Sequence, residues 1–196
     1  MPRQKSKKMN PEPVLNYWLS ELDQKNWYSS TPEIDADIRA RFEPMWGEAM
    51  AGGLLHWLTN PEETLAYVLL TDQMPRNMFR GTWRAYSSDH LARAATHIAL
   101  NRGWDLRIEE PQRQFFYLPL EHSESLVDQE RAVRLMAMRL KDAENLLHAQ
   151  AHREVIRRFG RFPFRNDHLQ RRGTEAEQQF MADGGYSTVV NALKAA

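Results

Sequence analysis

The sequence predicts an all-α fold of about seven to nine helices joined by short loops and gathered in one domain. Three observations carry that prediction. Apolar residues recur every three or four positions along most of the 196-residue chain. Prolines and glycines fall mostly at the ends of these periodic stretches, where helices start and stop. The best alternating apolar–polar run is too short to build a sheet.

Taken in order, the first helix spans Pro13 to Asp23, with Val14, Tyr17, Trp18 and Leu22 on one face. Thr31 caps the second, Pro32 takes its first position, and acidic residues occupy its first turn. Ile34, Ile38 and Phe42 mark its apolar face, and Pro44 is expected to kink or divide it. Asn60 and Pro61 open the third in the same way, with Leu65, Val68 and Leu69 facing inward. "SSDHLARAATHIALNRG" has serine caps at one end and Gly103 as its stop. "EPQRQFFYLPLEH" reads as a short helix disturbed by Pro119.

Ser125 and Asp128 have capping-box-like spacing at the head of a helix with Val133, Met136 and Leu140 apolar. That helix is predicted to stop near Lys141, because His152, Ile156 and Phe159 have rotated off its stripe. Asp142 then caps a new helix that reaches Phe159 and ends at Gly160. "TEAEQQFMADGG" supplies one more.

Composition narrows the function. Lysine plus arginine equal aspartate plus glutamate at 26 each, so charge balance argues against nucleic acid or a membrane surface as a bulk partner. Absent cysteine excludes disulfides, thiol catalysis and cysteine-held metals, and leans towards a reducing compartment. The start lacks the apolar core of a signal peptide, and no apolar run reaches the roughly 20 residues of a membrane span. The expected location is the cytoplasm. Residues 1–11, with Arg3, Lys5, Lys7 and Lys8, read as a flexible basic tail ahead of one helical domain over 12–196.

Two segments stand out chemically. "DQMPRNMFRG" and "RRFGRFPFRN" each set Pro, Arg and Asn beside phenylalanine and further arginine. Asp72 and Arg76 are four apart and share a helix face, while Pro75 leaves Arg76, Asn77 and Arg80 at a helix terminus. Gly160 and Pro163 hold a tight bend, so Arg161 and Arg165 point somewhere definite. Arginine's planar fork suits carboxylate or phosphate. Between these segments, Glu121 and His122 could serve acid–base work, although adjacent helical residues do not face each other. His148 and His152 stand at i, i+4, a spacing that can hold zinc, but no acidic third ligand follows. No metal and no cofactor are assigned. The two segments are expected to converge, with Asp72 and Glu121 between their arginines.

Four blocks, "DQMPRNMFRGT", "FFYLPLEHSE", "DQERAV" and "HREVIRRFGRFPFRN", together resemble the bacterial domain-of-unknown-function family 924, of the tetratricopeptide-like helical superfamily. The likeness runs from about Pro13 to Met181. It implies antiparallel helical hairpins in a tetratricopeptide-like array and brings no established activity. It maps onto Asp72, Gln73, Arg76, Asn77, Arg80, Glu121, His122, Asp128, Gln129, His152, Arg158, Arg161, Arg165 and Asn166. Phe164 stands where such proteins usually carry histidine. No 34-residue self-similarity is visible.

Three readings stay open. The first is a binding module whose arginine-rich polar pocket takes an anionic small molecule or peptide group. Asp72, Gln73, Arg76, Asn77, Arg80, Glu121, His122, His152, Arg161, Arg165 and Asn166 would form that pocket, and homo-oligomerisation is left open. The second is a hydrolase-type enzyme with Glu121, His122 or His152 as acid–base residues. The third is a structural polar network.

Overall fold

The computed structural model describes residues 9–195. The basic residues of the expected tail, Arg3 to Lys8, lie outside them. Every regular element among the described residues is helical. The elements are α1 (Glu12–Asn16), α2 (Pro32–Met50), α3 (Pro61–Val68), α4 (Met74–Met78), α5 (Asp89–Asn101), α6 (Leu118–Glu121), α7 (Leu126–Arg139), α8 (Ala143–Phe159), α9 (Glu175–Ala182) and α10 (Tyr186–Lys194). A π turn over Leu69–Gln73 joins α3 to α4 without a break, so the described residues form nine continuous helical segments besides short 3₁₀ turns. No helix among them is long and apolar enough to cross a membrane.

Helix starts follow the expected chemistry. The Thr31 and Asn60 side chains accept from the backbone N–H groups of Ile34 and Glu63, and a proline follows each cap. α7 stops at Arg139 and Asp142 caps α8, whose end is closed by Gly160 at φ 68°. Glu130 on α7 accepts from Arg153 and Arg157 on α8, which bridges the two across their short loop as an antiparallel hairpin.

Pro44 does not divide α2, which runs on through Met50. Three local expectations are corrected. Pro119 does not disturb a helix but starts one, because its missing N–H costs nothing in the first turn of α6. Ser125 makes no capping bond; Asp128 instead accepts from the Ser123 hydroxyl. Ser88 stands at the N-cap of α5, yet its hydroxyl donates to the Thr71 carbonyl and accepts from the Trp46 indole. That chain ties α2, the π turn and the start of α5 together. The helix α10 was not anticipated.

Two apolar clusters hold the fold. The larger gathers Trp18, Trp57, Phe115, Phe116 and Tyr117 with α2, α3 and α5. The smaller takes Val155, Ile156, Phe162, Phe180 and Val189. α8 serves both, with Ala149 in the first and Ala151 in the second. His152, one position beyond, lies at the seam.

Candidate functional site

The π turn positions the first acid. Its wider i→i+5 bonding shifts the register ahead of Pro75, which then occupies the first turn of α4. Asp72 is thereby wholly buried, and both carboxylate oxygens lie 3.0 Å from His122 Nδ1. Arg76 Nη1 is 3.3 Å from Asp72 Oδ1 and also donates to the Asp72 main-chain carbonyl; Gln73 Nε2 donates to Oδ2. Burial alone would raise the Asp72 carboxyl, but Arg76 and His122 outweigh it and hold it down to about 2.

His122 faces the opposite balance. Burial pushes its imidazole below the ordinary value and the Arg76 charge adds to that, against the pull of Asp72. The ring is therefore neutral at pH 7. With an ionised carboxylate at Nδ1, the proton sits on Nδ1 and Nε2 carries the lone pair.

A second acid–histidine pair stands beside the first. Glu121, 4% exposed, places Oε1 2.9 Å from His152 Nδ1. Burial would raise this carboxyl too, but His152 overrides it and keeps the group below its ordinary range. The Tyr186 hydroxyl is 3.0 Å from the same His152 nitrogen and 2.8 Å from His148 Nδ1. The His122 and His152 rings stand edge to face with centroids 6.3 Å apart. Glu121 and His122, adjacent in sequence, thus each find a different partner, as helical geometry requires. Gln129 supports both by donating to the Glu121 and Ser123 carbonyls, which fixes the turn between α6 and α7.

The two Pro-Arg-Asn segments do converge, through an acid that sequence reading passed over. Asp89, at the start of α5, accepts from Arg76 Nη1 at 3.0 Å and Nη2 at 3.2 Å, while Arg165 Nη1 lies 3.7 Å from its Oδ2. Arg165 is 5% exposed, stacks its guanidinium 4.4 Å from the Phe162 ring centroid and 4.7 Å from that of Tyr86, and leaves Nε without a partner among the described residues. Burial, then the neighbouring Arg76, depress it to about 10. It still carries its charge at neutral pH.

Other expected members take other partners. Arg161 grips Glu177 at 2.6 and 2.8 Å and donates to the Arg172 carbonyl, so it sits away from Asp72 and Glu121. Asn77 and Arg80 both donate to Asp35, and Arg80, mostly exposed, also lines a cavity with Arg76 and Arg165. Asn166 is buried and accepts from Arg171. Glu121 pairs with histidine rather than arginine. Asp89 was hidden because, after two serines, it reads as a helix-start acid.

Two cavities meet at the histidines. One, of about 340 Å³, is lined by Arg76, Tyr86, His122, His152, Arg165 and His168 among others. The second, of about 450 Å³, is lined by Tyr28, Leu118, Glu121, His122, His152 and Tyr186 among others. Among the described residues, no group of three or more histidines and acids has the geometry to hold a metal ion.

The family described as "Bacterial protein of unknown function (DUF924)" matches residues 14–185. A solved structure, that of the protein of unknown function ATU0120 from Agrobacterium tumefaciens, is similar at 37% identity and a TM-score of 0.84. The likeness covers 89% of this chain and 97% of that one. No curated protein matches the chain.

Proposed function

We propose that this chain, which belongs to the DUF924 family of bacterial proteins, binds a carboxylate or phosphate group in the cleft between Arg76 and Arg165. One observation carries the reading: Arg165 is a buried guanidinium without a full set of partners. Among the described residues its Nε is unpaired, and its one carboxylate contact, at 3.7 Å, is with an Asp89 already held by both arms of Arg76. A buried cation in that condition is costly, and an anion that supplies the missing acceptors offsets the cost. Aromatic faces on either side exclude water and fix the fork for a planar or tetrahedral oxyanion. Arg161 and Asn166 play no direct part in this narrower pocket.

The test is thermal denaturation in graded inorganic phosphate and in graded hexanoate at constant ionic strength. Ligand at about 100 times Kd stabilises by about 2.7 kcal/mol. Arg165→Lys keeps the charge but loses the fork, and should weaken the response at least tenfold. A melt that neither anion moves would sink the reading and leave the cluster as a structural network.

A second reading, an acid–base enzyme of hydrolase type, has one specific observation in its favour. Asp72 fixes the His122 tautomer so that Nε2 carries a neutral lone pair on a ring that lines both cavities. Ser123 is no nucleophile for it, because its hydroxyl is spent on Asp128. Water would be the attacking group. Turnover of a panel of carboxylic and phosphoric esters, abolished by His122→Asn, is the expected result for that reading.

A further inference from the structure

The larger cavity, beyond the histidines, has a feature that an anion pocket does not explain. Glu121 lines it, is 4% exposed, and has one oxygen spent on His152; the other, Oε2, is buried and has no hydrogen-bond partner among the described residues. An ionised oxygen in that position lacks the donors it would have in water, and leaving it so is costly. His152 Nδ1 also has the His148 carbonyl at 2.9 Å and the Tyr186 hydroxyl at 3.0 Å, so its hydrogen bonding does not depend on Glu121 alone. The remaining walls include the Tyr28 and Tyr186 rings and Leu118 together with the exposed acids Asp142 and Glu144, so the space joins aromatic faces to negative charge, and Glu121 is its buried acceptor. Aromatic faces and a buried carboxylate together favour a cation with N–H donors. An ammonium fits; a second anion does not.

We infer that the two cavities form one site for a dipolar ligand, an amine-bearing carboxylate whose anionic end meets Arg165 and Arg76 and whose ammonium meets Glu121 Oε2. His122 and His152 line both cavities and would flank the middle of such a ligand. The inference rests on the anion-binding reading above, and adds to it the second charge and the chemical class.

The experiment is calorimetric titration of the full chain with a ladder of ω-amino carboxylates from β-alanine to 6-aminohexanoate. Each is paired with the plain carboxylate and the ω-hydroxy carboxylate of the same length. One rung should bind at least tenfold more tightly than both of its controls, and Glu121→Gln should erase that advantage while leaving the plain carboxylate unchanged. If all three ligands of every rung bind equally, the ammonium site is wrong and the anion pocket stands. If the hydroxy analogue matches the amine, Glu121 accepts a neutral donor and the dipolar assignment falls. An amine advantage that survives Glu121→Gln also overturns it. Binding by none of them overturns both readings. Should Glu121→Gln fail to fold, nuclear Overhauser contacts in the unmodified protein decide. The methylene beside the amine must contact the rings of Tyr28 or Tyr186, and its absence from them refutes the placement.

Discussion

Replacing Asp89 by Asn takes the shared carboxylate from between two arginines and keeps its shape. In the native chain Asp89 accepts from both arms of Arg76 and lies 3.7 Å from Arg165. The side chains of all three are at least four-fifths buried, so solvent screens the group weakly. Asn retains one acceptor but turns an amide towards a guanidinium, leaving two neighbouring cations with less compensation. Breaking a buried ion pair by removing one partner costs about 3–5 kcal/mol. Arg76 keeps Asp72, which points to the lower end, near 3 kcal/mol. With an unfolding entropy of about 0.4 kcal/mol/K for a chain this size, the melt should fall by roughly 7 °C. Urea unfolding followed by circular dichroism measures the loss, and a single cooperative transition is expected if 12–196 is one domain. The same two guanidiniums should bind inorganic phosphate more tightly once Asp89 no longer competes. Phosphate should therefore rescue the variant by more than it stabilises the parent. A loss below about 1 kcal/mol would refute the buried-pair argument, and a full loss without extra rescue would mark the network as structural.

Acid stability should report Asp72. Its carboxyl is held at about 2 against an ordinary 3.8, so its contribution is fully present above that ordinary value and is lost as pH falls towards 2. The loss amounts to about 2 kcal/mol, and Asp72→Asn should flatten stability across this window in chemical denaturation at stepped pH. His122, depressed by burial, adds a separate fall as pH drops through about 6.5, where the unfolded chain takes up a proton first. A slope near pH 6 unchanged by His122→Asn would contradict that assignment. Phe115→Ala removes a ring that meets both Trp18 and Trp27 edge to face, and should cost about 3–5 kcal/mol in urea. Gly160→Ala meets no atom within 4 Å but keeps φ at 68°, so the same assay should find a loss of about 1 kcal/mol from backbone strain alone.

Helix identity was legible in the sequence because it is a local property. Thr31 before Pro32, Asn60 before Pro61, and Asp142 and Gly160 around α8 act within a few residues, so their roles follow from spacing. The rotation of the apolar stripe between Leu140 and His152 likewise foretold the break between α7 and α8. The four blocks identified the family for the same reason: each is a short run whose order survives without coordinates. Pairings across the fold were different. Asp72 and His122 are 50 residues apart, Arg76 and Asp89 are joined through the start of another helix, and Arg165 arrives from beyond α8. Which acid meets which base depends on the π turn before Pro75 and on the seam between two apolar clusters, and both are set by packing. Arg161 and Arg165, four residues apart in one motif, consequently part company. The first is drawn to Glu177 on α9, and the second is buried against Phe162 and Tyr86 beside Asp89. Sequence alone determined most of the helices and the inventory of charges; tertiary packing decided which charges were left unspent, because only burial makes an unpaired donor or acceptor costly enough to call for a ligand.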